Sequence, residues 1–112
     1  MIAPDGPLPF GVIDPDYARI FTIARCMAWQ EGYACCLNGS FTRDLDLLLV
    51  PWADHASDAH HLVKRIACAA ELTLMPDCTE KAHGRKAYTM LFPGFTDPRF
   101  VDVSIFPAEA KK

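Results

Sequence analysis

The chain has 112 residues, which is typical of one domain, and hydrophobic residues make up 51% of it. Charged residues account for 22% and the formal net charge is −3, which excludes a disordered chain and the strongly basic surface of a general nucleic-acid-binding protein. No apolar run approaches the length of a membrane-spanning helix, so we expect no membrane association.

The cysteines and the first residues both indicate a cytoplasmic protein. There are five cysteines, and Cys35 and Cys36 are adjacent, which is unusual for a secreted disulfide scaffold. Residues 1–13 lack the basic start and the apolar stretch of a secretory signal. We therefore predict reduced thiols and a cytoplasmic location.

The N-terminal part predicts an extended arm followed by a helix. Residues 1–13 are rich in proline and glycine and form the predicted arm. Asp14-Pro15 then indicates a helix start, with Asp14 as the cap. Apolar residues recur at helical spacing until Gly32, which is a suitable stop.

Two strands are predicted after this helix. Residues 33–37 form a short apolar strand, residues 38–40 have the composition of a turn, and residues 44–51 form the second strand. Because residues 47–50 are apolar at every position, we expect the second strand to be covered on both faces.

The C-terminal half predicts one helix and more strands. Asp54 or Ser57 caps the second helix, whose apolar stripe continues to Ala70. A short strand follows at 72–75. Strands at 85–92 and 100–106 are separated by proline and glycine residues and predict an antiparallel hairpin.

This order of elements predicts an α+β fold in a single domain. We expect one mixed or antiparallel sheet of about four or five strands with two helices packed on it. The domain spans 14–107, and residues 108–112 form a polar, frayed tail.

Three carboxylates in predicted strands are the strongest candidates for a functional site. Asp44 and Asp46 are two residues apart, so their side chains share one face of their strand. Asp102 lies in the middle of an apolar strand, where an unpaired carboxylate is costly to bury. If these two strands are neighbours, the three carboxylates converge, and oxygen ligands of this kind suit Mg²⁺ or Mn²⁺.

The turn Gly39-Ser40 followed by the pair Asp44 and Asp46 resembles the nucleotidyltransferase superfamily, whose fold is that of DNA polymerase β. The resemblance implies a nucleotidyltransferase-like fold and a catalytic site in which Asp44, Asp46 and Asp102 bind Mg²⁺ or Mn²⁺. It also implies a nucleoside triphosphate as ligand and transfer of a nucleotidyl group to an acceptor.

The same resemblance implies that Gly39, Ser40 and Arg43 bind the nucleotide. The segment from Gly39 to Asp46 is also similar to small uncharacterised phage or prophage proteins. The turn and the aspartate pair are closer together here than in the family. The alternative is therefore a non-catalytic accessory or binding protein of the phage type, with the same fold, that acts through protein–protein contacts.

The carboxylates also have a structural interpretation. Asp46 could form an ion pair with Arg43 or Arg85. Asp102 could do the same with a neighbouring basic residue: Arg85, Lys86 or Arg99. The basic segment 83–86 could contact a triphosphate or form a solvated turn.

The aromatic residues bear on self-association. Trp29 and Trp52 are predicted to pack in the core. Four phenylalanines flank the last loop and either pack in the core or form a patch for a homo-oligomer: Phe92, Phe95, Phe100 and Phe106.

Overall fold

The computed structural model describes residues 14–39, 44–94 and 96–108. Within them, the two helices are α1 (Pro15–Gln30) and α2 (Ala59–Ala70). The strands are β1 (Tyr33–Leu37), β2 (Leu45–Pro51), β3 (Thr73–Leu74), β4 (Thr79–Glu80), β5 (Lys86–Leu91) and β6 (Phe100–Ile105). The predicted α+β class is confirmed, while the predicted arm 1–13 lies outside the described residues.

The strands form one mixed sheet in the order β1-β2-β6-β5-β3, and β4 also pairs with β5. β2 and β6 are parallel, whereas the other strand pairs are antiparallel. The predicted hairpin of the last two strands is confirmed. Since parallel strands need a long crossover, the segment containing α2 connects β2 to the far side of the sheet and the chain returns through β5 to β6.

The start of α1 is fixed by a capping residue and by an arginine from the last loop. The Asp14 side chain accepts a hydrogen bond from the Asp16 backbone N–H at 2.9 Å. The Arg99 guanidinium forms ion pairs with Asp14 and Asp16 at 3.1 and 2.8 Å, and with Asp97 at 2.7 Å. It also lies over the Phe92 ring, 4.1 Å from its centroid. The loop before β6 is thereby attached to the first turn of the helix.

The start of α2 differs slightly from the sequence prediction. Asp58 is the N-cap, and its carboxylate accepts hydrogen bonds from the His60 and His61 backbone N–H groups at 3.1 and 3.3 Å. The predicted caps Asp54 and Ser57 are therefore wrong. All these residues are capable of capping, and the helix register selects the one whose carboxylate reaches the free N–H groups.

The core lies between the helices and one face of the sheet. Leu45, Leu47 and Leu49 of β2 point toward the helices and are 0 to 1% exposed. Leu48 and Val50 point to the opposite face and are only half-buried. The prediction that this strand is covered on both faces is therefore wrong for the part of the chain that the structure describes, where both helices pack on the same side.

The prediction that the two tryptophans pack in the core is also wrong. Trp29 and Trp52 are 67% and 57% exposed, so they do not belong to the core. Their rings contact each other, with centroids 5.4 Å apart. Phe100 is 41% exposed, whereas Phe92 is buried. Phe95 lies outside the described residues.

All five cysteines are free thiols, and Cys35 is the one with a partly buried side chain. Among the described residues, neither helix has the length and apolar character that crossing a membrane requires.

Candidate functional site

Two of the three predicted carboxylates meet on the face of the sheet that the helices leave uncovered. In the parallel pairing of β2 with β6, Asp46 lies directly opposite Asp102. Neighbouring strands are about 4.8 Å apart, so two side chains that share a face at this register are in reach of each other. The alternation that buries Leu45 and Leu47 against the helices turns the intervening Asp46 to the open side.

The aspartate pair lies in an open groove of about 400 Å³ whose lining is mainly polar. The Thr89 hydroxyl, opposite Asp102 on β5, donates a hydrogen bond to Asp102 Oδ1 at 3.3 Å. The lining residues are Asn38, Asp46, Leu47, Thr79, Lys81, Ala87, Thr89, Asp102 and Ser104. The groove therefore combines two carboxylates, one ammonium group, hydroxyls and an amide.

The electrostatics of the pair penalise the ionised form of Asp46. Burial of its carboxyl raises its pKa, and the nearby charges of Asp102 and Asp44 raise it further. A hydrogen bond shared with Asp102 acts in the same direction. A bound cation would relieve this repulsion, because it favours the ionised form of both carboxylates.

The described residues of the predicted turn, Asn38 and Gly39, lie directly beside Asp46. Gly39 has a φ of +110°, a conformation that other L residues rarely adopt, and a Cβ built on it lies 3.2 Å from Asp46 Oδ2. The Asn38 backbone N–H donates to the Asp46 carbonyl oxygen at 2.9 Å, which holds the turn against the start of β2. Ser40 and Arg43, the other predicted nucleotide-binding residues, lie outside the described residues.

The third predicted carboxylate is close in sequence but not part of the groove lining. Asp44 is exposed and comes one residue before β2, and it contributes its charge to the environment of Asp46. Over residues 14–39, 44–94 and 96–108, no group of three or more potential metal-ligating side chains is arranged to hold an ion. The groove thus offers two adjacent carboxylates as direct ligands.

The ion pairs suggested by the structural interpretation are not formed by the described partners. Arg99 pairs with Asp14, Asp16 and Asp97, and its guanidinium is engaged at the start of α1. The described residues show no ion pair between Asp102 and Arg85 or Lys86, and none between Asp46 and Arg85. Neutralisation by these arginines and this lysine therefore does not account for the aspartate pair.

Sequence reasoning missed most of the remaining groove residues. Thr89 and Ser104 alternate with buried neighbours in β5 and β6, so strand alternation would have placed them beside Asp102 once the register was known. Thr79 and Lys81 come from the region of β4, which has only two residues and no periodic signal. The basic segment 83–86 was the predicted contact for a triphosphate, whereas the lysine that lines the groove is Lys81.

No protein-family model matches the chain, and no curated protein sequence matches it. The resemblance to nucleotidyltransferases therefore rests on the residues of the turn and of the carboxylate pair, and remains a hypothesis.

The donor set is compatible with a hard divalent cation. Mg²⁺ in proteins is commonly bound through one or two carboxylates, with water and substrate phosphate oxygens completing its octahedron. Asp46 and Asp102 provide two such carboxylates on an accessible face. The absence of a Cβ at Gly39 leaves room beside Asp46 Oδ2 for further oxygen ligands.

Proposed function

We propose that the groove around Asp46 and Asp102 binds a divalent cation together with the phosphate groups of a nucleotide. In its catalytic form this function is nucleotidyl transfer to an acceptor hydroxyl. The observation that supports it best is the register of β2 and β6, which puts Asp46 opposite Asp102 on an uncovered face. The glycine turn against Asp46 is the second support.

Each groove residue has a distinct part in this proposal. Asp46 and Asp102 hold the cation, which when bound would polarise the phosphate and lower the charge repulsion with the incoming nucleophile. The backbone N–H of Gly39 can approach the phosphate closely because no side chain intervenes there. The Lys81 ammonium lines the same groove and offsets phosphate charge.

In the catalytic form, we also propose that Asp102 takes the proton of the acceptor hydroxyl. Its Oδ1 accepts the hydrogen bond from Thr89, which fixes the carboxylate orientation and leaves Oδ2 to accept from an acceptor hydroxyl. A carboxylate that accepts a hydrogen bond from the hydroxyl can take its proton, which generates the nucleophile that attacks the nucleotide phosphate with pyrophosphate as the leaving group.

The alternative is a binding protein with the same fold and no catalysis. The feature that favours it is a pair of exposed tryptophans, Trp29 and Trp52, whose rings contact each other outside the carboxylate groove and which points to protein–protein contact. The two functions differ in their dependence on metal, and this difference can be measured.

The test is calorimetric titration of ATP, and then of the other nucleoside triphosphates, into the protein with and without Mn²⁺. We expect binding that requires Mn²⁺ and that is lost in both Asp46→Asn and Asp102→Asn. Asp54→Asn is the matched control, because Asp54 is an exposed carboxylate in the loop after β2 and does not line the groove.

Release of pyrophosphate in the presence of candidate acceptors then separates transfer from binding. Metal-independent binding, or binding that survives in both groove variants, would contradict the proposed site. No binding of any nucleotide would leave the non-catalytic alternative, whose test is interaction with a protein partner.

A further inference from the structure

A second surface, at the β1 edge of the sheet, has backbone groups that no other described strand pairs with. Within the described residues β1 is the terminal strand and pairs only with β2. The hydrogen bonds from Asn38 N–H to Asp46 and from Trp52 N–H to Gly32 fix which residues bond to β2. By this alternation, the N–H and C=O groups of Tyr33, Cys35 and Leu37 face away from β2.

Over residues 33–37, β1 has none of the sequence features that usually prevent strand addition. β1 has the sequence Tyr-Ala-Cys-Cys-Leu, with neither a charge nor a proline, and its pairing with β2 runs over five consecutive positions without a bulge. Natural sheets commonly protect an edge with lysine, proline or a bulge. An unprotected, regular edge is a suitable template for an additional strand.

An apolar groove of about 460 Å³ runs along the same edge, between α1 and β1. The rings of Trp29 and Trp52 contact each other at this groove with an interplanar angle of 33°, and they remain 67% and 57% exposed. The groove is lined by Thr22, Arg25, Cys26, Trp29, Gln30, Tyr33, Ala34, Cys35 and Trp52. Exposed aromatic pairs of this kind are typical anchors of protein interfaces.

Of the described residues that line this groove, Arg25 is the charged one. No carboxylate of the described segments lies within ion-pair distance of it. An exposed guanidinium beside unpaired strand groups and two tryptophans favours a partner with a carboxylate at that position, because an arginine pairs with a carboxylate in bidentate geometry.

The spacing of these groups matches that of an extended chain. Arg25 and Trp29 are four residues apart on α1, which corresponds to a rise of roughly 6 Å. Residues two apart in a strand point to the same face and are about 6.6 Å apart. A strand added to β1 could therefore direct an acidic side chain to Arg25 and a large apolar side chain to the tryptophans.

A second copy of this chain fits the edge less well. Antiparallel pairing of two β1 strands about Cys35 would bring both grooves, and with them both Arg25 side chains, close to the same axis. Like charges brought together at an interface oppose association. An acidic segment of another protein has no such conflict.

We propose that the β1 edge and its tryptophan groove bind an extended segment of a partner protein, in which an acidic residue lies two positions from a large apolar residue. The backbone of the segment pairs with Tyr33, Cys35 and Leu37. Its acidic side chain contacts Arg25, and its apolar side chain packs on Trp29 and Trp52.

The experiment is selection of a phage-displayed random peptide library on the full-length protein. We expect enriched peptides to share an acidic residue two positions from an aromatic or aliphatic one. Selection on Arg25→Glu should give the same apolar residue with lysine or arginine in place of the acid. Arg19→Glu is the matched control, since Arg19 is exposed on the same helix but does not line the groove.

The strongest selected peptide is then synthesised, and its affinity is measured by fluorescence polarisation. Arg25→Glu and Trp29→Ala should each weaken binding by at least about tenfold, the scale of one lost charge-assisted hydrogen bond or interface anchor. Circular dichroism of each variant confirms that it is folded.

Three results would overturn the proposal. The first is the absence of any shared pattern, and the second is the same acidic pattern on Arg25→Glu. The third is a stable dimer in light scattering that Leu37→Lys dissociates, which would assign the edge to a second copy of the chain.

Discussion

The two faces of the sheet are built from alternate residues of the same strands, yet their surroundings differ sharply. In β2, Leu45, Leu47 and Leu49 face the helices and are 0 to 1% exposed. The intervening Asp46 faces the uncovered side and meets Asp102 from β6. Along β2, a leucine buried against the helices is therefore followed directly by an aspartate of the carboxylate pair on the open face.

The two faces contribute differently to the protein: the helix-facing side stabilises the fold, and the open side carries the polar and charged groups. The helix-facing side removes apolar surface from water, which is the main favourable contribution to folding. The open side gathers groups that repel each other, and the pKa of Asp46 is raised by burial and by the charges of Asp102 and Asp44. Carboxylates whose pKa is shifted by burial and by like charges are found frequently at functional sites.

The comparison is tested most strongly by truncating neighbouring leucines. Leu47→Ala should lower the free energy of unfolding by about 2–5 kcal/mol, because it leaves a cavity in the core. Leu48→Ala should cost less than about 1 kcal/mol, since its side chain is half-buried on the open face. Urea unfolding followed by circular dichroism measures both values.

A comparable loss in the two variants would mean that the open face is covered in solution. The m-values should remain equal to that of the wild type, so that the change in midpoint reports stability alone.

Gly39→Ala examines the turn that joins the two regions. With a φ of +110° at this position, alanine should cost roughly 1–2 kcal/mol of stability. Its Cβ would also lie 3.2 Å from Asp46 Oδ2, so Mn²⁺-dependent nucleotide binding should fall as well.

Gly94→Ala is the control for this change, because Gly94 has a φ of +99° and, its chain neighbours apart, no atom of the described residues lies within 4 Å of a Cβ built on it. We expect a similar loss of stability with nucleotide binding retained. Equal binding in the two variants would show that the close approach at Gly39 has no part in the site.

The sequence predicted the helix-facing side better than the open side. Helical spacing and strand composition located both helices and the strands that flank them, because burial imposes periodicity on the residues. The continuous apolar run 47–50 was misleading, since Leu48 and Val50 are apolar without being fully covered. Apolar residues on a surface are common, so a run of them does not prove two-sided burial.

The candidate site was only partly accessible to sequence reasoning. Asp46 and Asp102 stand out because each is a carboxylate in an apolar strand, but their pairing depends on a parallel register that no local pattern encodes. Lys81 has no such signal, because it follows a two-residue strand. Trp29 and Trp52 were predicted to lie in the core because tryptophan is a large apolar residue, but both are exposed near the edge strand of the sheet.

Arg99→Met addresses the attachment of the last loop to α1, on the helix side of the sheet. The Arg99 guanidinium holds the pKa of Asp97 at about 2, so the bond contributes stability above the ordinary pKa of aspartate. We expect a modest fall in Tm at pH 7, because these ion pairs are partly exposed.

The difference in Tm between wild type and Arg99→Met should shrink as the pH falls toward about 2, where Asp97 becomes protonated. Thermal scans at several pH values measure it. A difference that does not change with pH would assign the effect of Arg99 to packing on Phe92.

Asp46→Asn should have the smallest effect and the opposite sign. Because the folded-state pKa of Asp46 is raised, the folded protein binds a proton more tightly than the unfolded chain, and the ionised carboxylate is destabilising above that pKa. The amide removes this charge, so at pH 7 the variant should be more stable by about 0.5–1 kcal/mol, the scale of partly exposed charge pairs. Below the unfolded-state pKa of about 3.9 the difference in stability should vanish.

Thermal scans of Asp46→Asn and the wild type at pH 7 and pH 3 measure this difference. Asp44→Asn should give a smaller gain, because the charge of Asp44 acts on Asp46 less strongly than that of Asp102. Loss of stability in Asp46→Asn at pH 7 would mean that the carboxylate is a structural element, and the contrast between the two faces would no longer hold.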